Sequence, residues 1–405
     1  MKGLFLKGCL FIFILLILGA KIIPAYNLDL NINDVKNLDF NENQNRDEFD
    51  KKINNYMKIG AMPSLVACIV KNNTVVWSKA YGYNDYYKKI NTTIDTVYPI
   101  ASITKSITAT AIMQLVELGL INLDDNVSKW LPFDLKNPNY PDVNITIRML
   151  LSHQSSLGDN YFKFIFFSNV FNNYQKWLEN FYNDPKSWNE YLPGKGVFYS
   201  TNGVDILQII IKKITGKTYE DYCKEKIFVP LKMYNTSFYF SDFNKNKITC
   251  LYVRFLNRYH KMPTIQVPQM MFAAGGLKTT LSDFSHYLIM HTSGGIYDNV
   301  RILNETSIEE MHRAQYPDYY WEKIYLHGLG WYSDSNNNET FGGHGGNFPG
   351  AGAQMKMRYS DKVGIIYFWN QNSYIRKHLR LFYLGELIAR AKIEKALFEK
   401  SDDFI

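Results

Sequence analysis

The 405-residue sequence is 46% hydrophobic and 20% charged. That balance excludes a disordered chain and suffices for one large domain or two ordinary ones. The formal charge of +7 is spread without a long basic run, so no nucleic-acid-binding footprint is present. Beyond Cys9, the cysteines Cys68, Cys223 and Cys250 are odd in number and widely spaced, which fits neither a disulfide framework nor a zinc site.

Residues 1–25 read as a secretory signal. Lys2 and Lys7 form a basic start, Cys9 to Ala20 is an apolar run, and Ala20 and Ala25 offer small residues for cleavage. The run falls short of the ~20 residues that a spanning helix needs. The expectation is a secreted protein or one in the secretory lumen. The alternative is an uncleaved membrane anchor over residues 8–25, since Ile22 and Ile23 extend the apolar stretch past Lys21. Sequons stand at Asn72, Asn91, Asn126, Asn144, Asn235, Asn304 and Asn338. They make a glycoprotein only in a host pathway that glycosylates. Residues 26–46, rich in Asn and Asp, read as a linker.

A domain is expected over residues 47–395. A short helix, Asp47–Ile59, opens it. Ser64–Val70 and Thr74–Tyr81, rich in Val, Ile and aromatics, read as paired strands around Lys71-Asn72-Asn73. Ser106 to Gly119 carries apolar residues at helical spacing and ends on a glycine. Pro99 biases Tyr98 to extended backbone. Ser102 then falls at the helix start, with Lys105 one turn on and on the same face. A serine hydroxyl needs a base to take its proton. A helix N-terminus also aims free N–H groups at developing negative charge. Alone, this pair reads as a capping serine and a solvated lysine.

Residues 120–270 alternate helices with irregular polar segments and hold prolines at 132, 138, 141, 185, 193 and 230. They read as a mainly helical insertion. Leu150-Leu151-Ser152-His153 closes one helix, with His153 read as a capping or core histidine. Tyr161–Phe181 is aromatic-heavy and reads as core or as a substrate wall. The turn-rich stretch Tyr191–Gly203 contains Tyr199 and leads into a helix, Asp205–Ile214, stopped by Gly216. From about 272 the chain returns to mixed character. Ser282 is read as the cap of a helix Asp283–His291. Gly328–Tyr332, Ala351–Tyr359 and Val363–Asn370 read as strands. The glycine-rich connection Gly342–Gly350, holding His344, lets main chain approach a ligand. A helix from His378 to about Phe398 closes the domain, and 396–405 reads as a tail. The expected fold class is α/β (α+β): an antiparallel sheet built from both chain ends, flanked by helices.

Three elements stand in order: Ser102-x-x-Lys105, Tyr199-Ser200 before a helix, and His344-x-Gly346. Together they resemble the serine β-lactamase and penicillin-recognising superfamily, in the branch of class C β-lactamases, D-alanyl-D-alanine carboxypeptidases and related esterases. Leu150-Leu151-Ser152-His153, Pro193-Gly194, Thr215-Gly216-Lys217, Pro230-Leu231-x-Met233, Ala274-Gly275-Gly276-Leu277 and Gly328-Leu329-Gly330-Trp331 extend the resemblance over roughly 50–395. It implies that Ser102 is an acyl-forming nucleophile and that Lys105 accepts its proton. It implies that Tyr199 is an acid/base partner of that lysine and that His344 adds positive or hydrogen-bonding character. It also implies an oxyanion hole from the N–H groups of Ser102 and Asn347, next to Gly346. Two positions depart from the pattern. Thr201 stands where the family places an asparagine that contacts the lysine and the substrate amide, with Asn202 one step later. Ser156 stands where it places a glycine.

The expected function is a secreted serine hydrolase acting on a small ester, amide or peptide. No cofactor, metal or nucleic-acid partner is expected, and a membrane is expected only if the leader stays on as an anchor. The contrasting reading is a catalytically silent member of the fold used for binding or assembly, motivated by Thr201. A metal hydrolase has little behind it: no His-Glu-x-x-His is present, and His286 and His291 are poorly spaced for one helical face.

Overall fold

Strand β1 (Ser64–Lys71) sets the architecture, because it is apolar on both sides. Val66, Cys68 and Val70 face one apolar core and Leu65, Ala67 and Ile69 face another. Alternate residues of a strand point to opposite faces, so a strand with no polar alternation must be covered twice. The structure, a computed structural model, describes residues 48–159, 174–255, 258–316, 326–336, 339–372 and 380–404. The leader and linker, the sequon Asn338 and most of Tyr161–Phe181 lie outside them.

β1 sits inside an eight-stranded antiparallel sheet of order β10-β11-β12-β13-β14-β1-β2-β3. β2 (Thr74–Asp85) and β3 (Ile90–Asn91) come from the N-terminal side. The other strands come from the far end of the chain: β10 (Leu326–His327), β11 (Tyr332–Asn336), β12 (Glu339–Phe348), β13 (Ala351–Arg358) and β14 (Val363–Trp369). The expected fold class is therefore the observed one. β1 and β14 pair antiparallel with Leu65 opposite Trp369. β14 divides its side chains as β1 does, Ile366 and Phe368 to one core, Ile365, Tyr367 and Trp369 to the other.

One face is covered by α1 (Glu48–Gly60) and the last helix, α10 (Arg380–Ser401). Residues 396–401, read as a tail, belong to α10, and Ala396, Leu397 and Phe398 are buried. Helical spacing of those apolar residues carries the helix on. The other face is covered by α2 (Thr104–Glu117) and α8 (Leu281–Thr292), with the insertion beyond. The insertion holds α3 (Ile147–Leu151), α4 (Tyr174–Asn183), α5 (Thr201–Thr215) and α6 (Tyr219–Cys223). It also holds a hairpin that the helical reading did not anticipate, β5 (Leu251–Phe255) and β6 (Arg258–Met262). The one-turn helix α7 (Phe272–Gly275) leads back, and β7 (Lys278–Thr279) pairs with β4 (Tyr98–Pro99) just ahead of Ser102. The hairpin β8 (Ile296–Tyr297)–β9 (Val300–Arg301) and α9 (Glu305–His312) complete the chain order.

Three local readings are corrected. Gly328–Trp331 is a turn between β10 and β11, and Tyr332 alone of that expected strand opens β11. Gly330 has φ +66°, and a Cβ on Gly328 would lie 2.2 Å from the Met311 carbonyl. The stretch around His344 is the interior strand β12, paired along its length with β13. The cap of α8 is Thr280, whose Oγ1 accepts from the Asp283 N–H at 3.1 Å, while Ser282 bonds Asp95.

Candidate active site

The Ser102 position is a strained elbow. β4 ends at Pro99, and Ala101 takes φ +46° before a 3-10 turn over Ala101–Ile103. A positive φ costs a residue with a Cβ of order 1–3 kcal/mol, so the surroundings must hold it. The Thr104 hydroxyl bonds the Ala101 carbonyl at 2.6 Å and accepts from the Leu277 N–H at 3.2 Å. The Leu277 carbonyl in turn accepts from the Ile100 N–H at 3.1 Å. Ser102 sits in this turn, partly exposed. α2 begins two residues earlier than the periodicity placed it, which puts Lys105 in its first turn.

Lys105 is fully buried. Its Nζ donates to Ser102 Oγ at 3.2 Å and to the Ala274 carbonyl at 2.8 Å. The Tyr199 ring lies over it, centroid 4.9 Å from Nζ. Tyr199 itself is 37% exposed, so one side of the phenol meets lysine and the other solvent. His153 holds Tyr199 in place. Its carbonyl accepts the Phe198 N–H at 2.7 Å, its Nδ1 accepts the Ser200 N–H at 3.2 Å, and its ring packs 4.3 Å from the phenol. Because Nδ1 accepts, the proton of the neutral ring is on Nε2. Ser200 then caps α5 by accepting from the Gly203 N–H.

His344 on β12 lies across the cleft, 6.2 Å ring to ring from Tyr199. Its Nδ1 is 2.7 Å from the Gly345 carbonyl. A carbonyl only accepts, so Nδ1 carries the proton and Nε2 is left as an acceptor. Burial, then the Lys105 charge, pulls its pKa down to about 3. Of the two contributions expected from His344, hydrogen bonding remains and positive charge does not. Burial likewise holds His153 far below the usual range, with His327 and Lys105 adding to it, and pulls His327 to about 4. Gly346 lets β12 close on the elbow, since a Cβ there would lie 2.0 Å from the Ile100 carbonyl. Asn347 is exposed, with its Oδ1 held by Asn372 Nδ2 at 3.2 Å.

Thr201 opens α5, its N–H donating to Asp159 Oδ1 at 2.7 Å. Asn202 does not substitute for the displaced family asparagine: it is fully buried and its Nδ2 reaches the Gly158 carbonyl at 3.3 Å. Ser156 takes φ +60°, a conformation that suits the glycine of the pattern, and Asn137 Nδ2 bonds its Oγ at 2.9 Å. The structure thus brings Ser102, Lys105, Tyr199 and His344 to one cleft, packs Gly346 behind the elbow, and leaves Thr201 and Asn347 at its margins. Two residues near the cleft had no role in the sequence reading. His327 stands edge-on to His153 with ring centroids 5.4 Å apart. Asp205 is an acid at a buried position of α5.

The Beta-lactamase family model matches residues 49–390. Protein flp of Staphylococcus aureus (strain N315) is 27% identical over 334 residues, covering 82% of this chain and 64% of that protein. Beta-lactamase-like protein 2 of Dictyostelium discoideum is 30% identical over 278 residues, covering 65% of this chain and 48% of its own length. The chain therefore spans less than two thirds of these curated relatives. Among solved structures, the octameric penicillin-binding protein homologue from Pyrococcus abyssi superposes with a TM-score of 0.69 at 28% identity, covering 84% of this chain and 77% of its own. D-amino acid amidase from Ochrobactrum anthropi SV3 shares the fold at a TM-score of 0.68 and 21% identity, covering 88% of this chain and 100% of its own. With elbow, lysine and tyrosine in one cleft and the match running through all three, the chain belongs to the Beta-lactamase family.

Proposed function

We propose that the protein is a serine hydrolase that forms an acyl-enzyme on Ser102 from a small ester, amide or peptide. The observation that carries this is the buried Lys105 Nζ, 3.2 Å from Ser102 Oγ with the Tyr199 ring centroid 4.9 Å away. A base within hydrogen-bond reach of a hydroxyl is the geometric requirement for activating it. In this reading Lys105, as the free amine, takes the Ser102 proton as Oγ attacks the carbonyl carbon. The Ser102 and Asn347 N–H groups take the oxyanion. Tyr199 protonates the leaving group and then draws a proton from the attacking water. His344 Nε2, neutral, accepts a substrate hydrogen bond. The D-amino acid amidase likeness supports an amide or ester of a small acyl group. Thr201, which offers no amide, favours the ester. Secretion through the N-terminal leader is part of the same proposal.

The test is intact mass and product release after incubation with an activated short-chain ester and, separately, a β-lactam, with Ser102→Ala as control. Ester turnover lost in Ser102→Ala is expected. Turnover unchanged in that variant contradicts the proposal. A folded protein labelled by neither reagent favours the silent scaffold that Thr201 motivates.

A further inference from the structure

Asp205 lies on α5, six positions after Tyr199, and is 2% exposed. Its Oδ1 accepts from the Ala274 N–H at 2.8 Å. The carbonyl of the same residue accepts from Lys105 Nζ at 2.8 Å. One residue of α7 therefore joins the acid to the lysine. The preceding carbonyl, of Ala273, accepts from the Thr108 hydroxyl on α2, and that hydroxyl also meets Tyr219 OH at 2.7 Å. α7 is thus clamped between α2 and α5, and Asp205 is the clamp's acidic jaw. Its second oxygen, Oδ2, is buried without a hydrogen-bond partner.

A buried carboxylate oxygen without a partner is costly unless a charge answers it. Burial pushes this carboxyl well above the usual carboxylate range, and Lys105 is the largest influence pulling the other way. Asp159 opposes Lys105, and Tyr219 also feels the Asp205 charge. On the lysine side, His153 and His344 sense the Lys105 charge and the Tyr199 ring covers it. Both histidines are neutral, so Asp205 is the buried acid available to answer the Lys105 charge.

Resting on the acyl-enzyme reading above, we propose that Asp205 is a positioning residue for Lys105. It fixes the Ala274 carbonyl that orients the amine toward Ser102. It also supplies the negative charge that stabilises the ammonium when Lys105 takes the serine proton. The proton moves from Ser102 Oγ to Lys105 Nζ, and Asp205 exchanges none. This role needs an acid at 205, whereas a purely structural anchor for the Ala274 N–H needs only an oxygen.

Asp205→Asn separates the two, because it keeps an acceptor for the Ala274 N–H and removes the charge. With an activated short-chain ester, kcat is expected to fall about tenfold or more, a part of the 10²–10⁴-fold that a positioned base contributes. KM should change little. Asp205→Ala should lose more, and Asp205→Glu should restore part of the rate. A folded Asp205→Asn protein with wild-type kcat overturns the proposal. A thermal double-mutant cycle with Lys105→Met needs no turnover. Asp205→Asn should raise Tm more in the Lys105→Met background, where the carboxyl faces no cation, than in the wild type. Equal shifts in both backgrounds overturn the coupling. Coupled shifts in a protein that turns over no ester count against Ser102 acylation and for the Asp205–Lys105 interaction.

Discussion

Lys278 is a second buried lysine close to the elbow, and it has no carboxylate within salt-bridge reach among the described residues. It is 1% exposed, donates to the Phe238 carbonyl at 2.6 Å, and lies over the Phe240 ring at 4.6 Å. Burial pulls its pKa down to about 7, with the Asp242 charge opposing. The unfolded chain takes up this proton near pH 10.5, the folded chain only near 7. Stability is therefore lost as pH falls from about 10.5 to about 7. Lys278→Met should raise stability at neutral pH by about 1–3 kcal/mol and flatten that arm, as read by urea midpoints across pH. A variant with the wild-type slope contradicts this. At this scale the sequence disclosed Ser102, Lys105 and Tyr199, because their local spacing and order carry the signal. Asp205 and Lys278 stayed silent, because an acid or a lysine looks the same in solvent as in a core. Only the closure of α5 and β7 on the elbow distinguishes them.

Helix ends offer a sharper comparison between reading and structure. Two hydroxyl residues stand two apart at the start of α8, and either satisfies the sequence preference for a cap. Thr280 holds the extended backbone of a cap, φ −96° and ψ 162°, while Ser282 is inside the helix. Thr280→Ala should cost about 1 kcal/mol and Ser282→Ala a few tenths at most, by thermal unfolding. Reversed costs would return the cap to Ser282. β12 shows the opposite limit. Its glycines have poor strand propensity, so Gly342–Gly350 reads as a connection. They are there because bulk is excluded: Tyr359 sits where a Cβ of Gly342 would be, and the Ile100 carbonyl where one of Gly346 would be. Packing from the next layer overrides propensity, and no local pattern announces it. α10 was legible because its apolar spacing persists, though its end was placed short.

The whole molecule carries several buried imidazoles held neutral. His312 and His344 are pulled to about 3 and His327 to about 4 by burial, and His291 and His153 lie far below the usual range for the same first reason. Unfolded histidines titrate near 6.5, so unfolding takes up protons below that pH. Stability is fully present above about 6.5 and should drain away toward 4, ahead of most carboxylates. A Tm that holds flat between about pH 6.5 and 4.5 contradicts this. The sheet's origin in both chain ends was legible from the two sets of strands, although the sequence could not say that β1 and β14 are neighbours. That pairing has a consequence for synthesis. The Ser64 N–H bonds Asn370 Oδ1 across 306 positions. On a ribosome that releases the N-terminal side first, β1 and β2 emerge with one hairpin edge and two apolar faces exposed. They wait for nearly the whole remaining chain before β14 arrives. The nascent protein therefore has its longest exposure to strand-edge aggregation, and its greatest need of a chaperone, before the sheet can be completed.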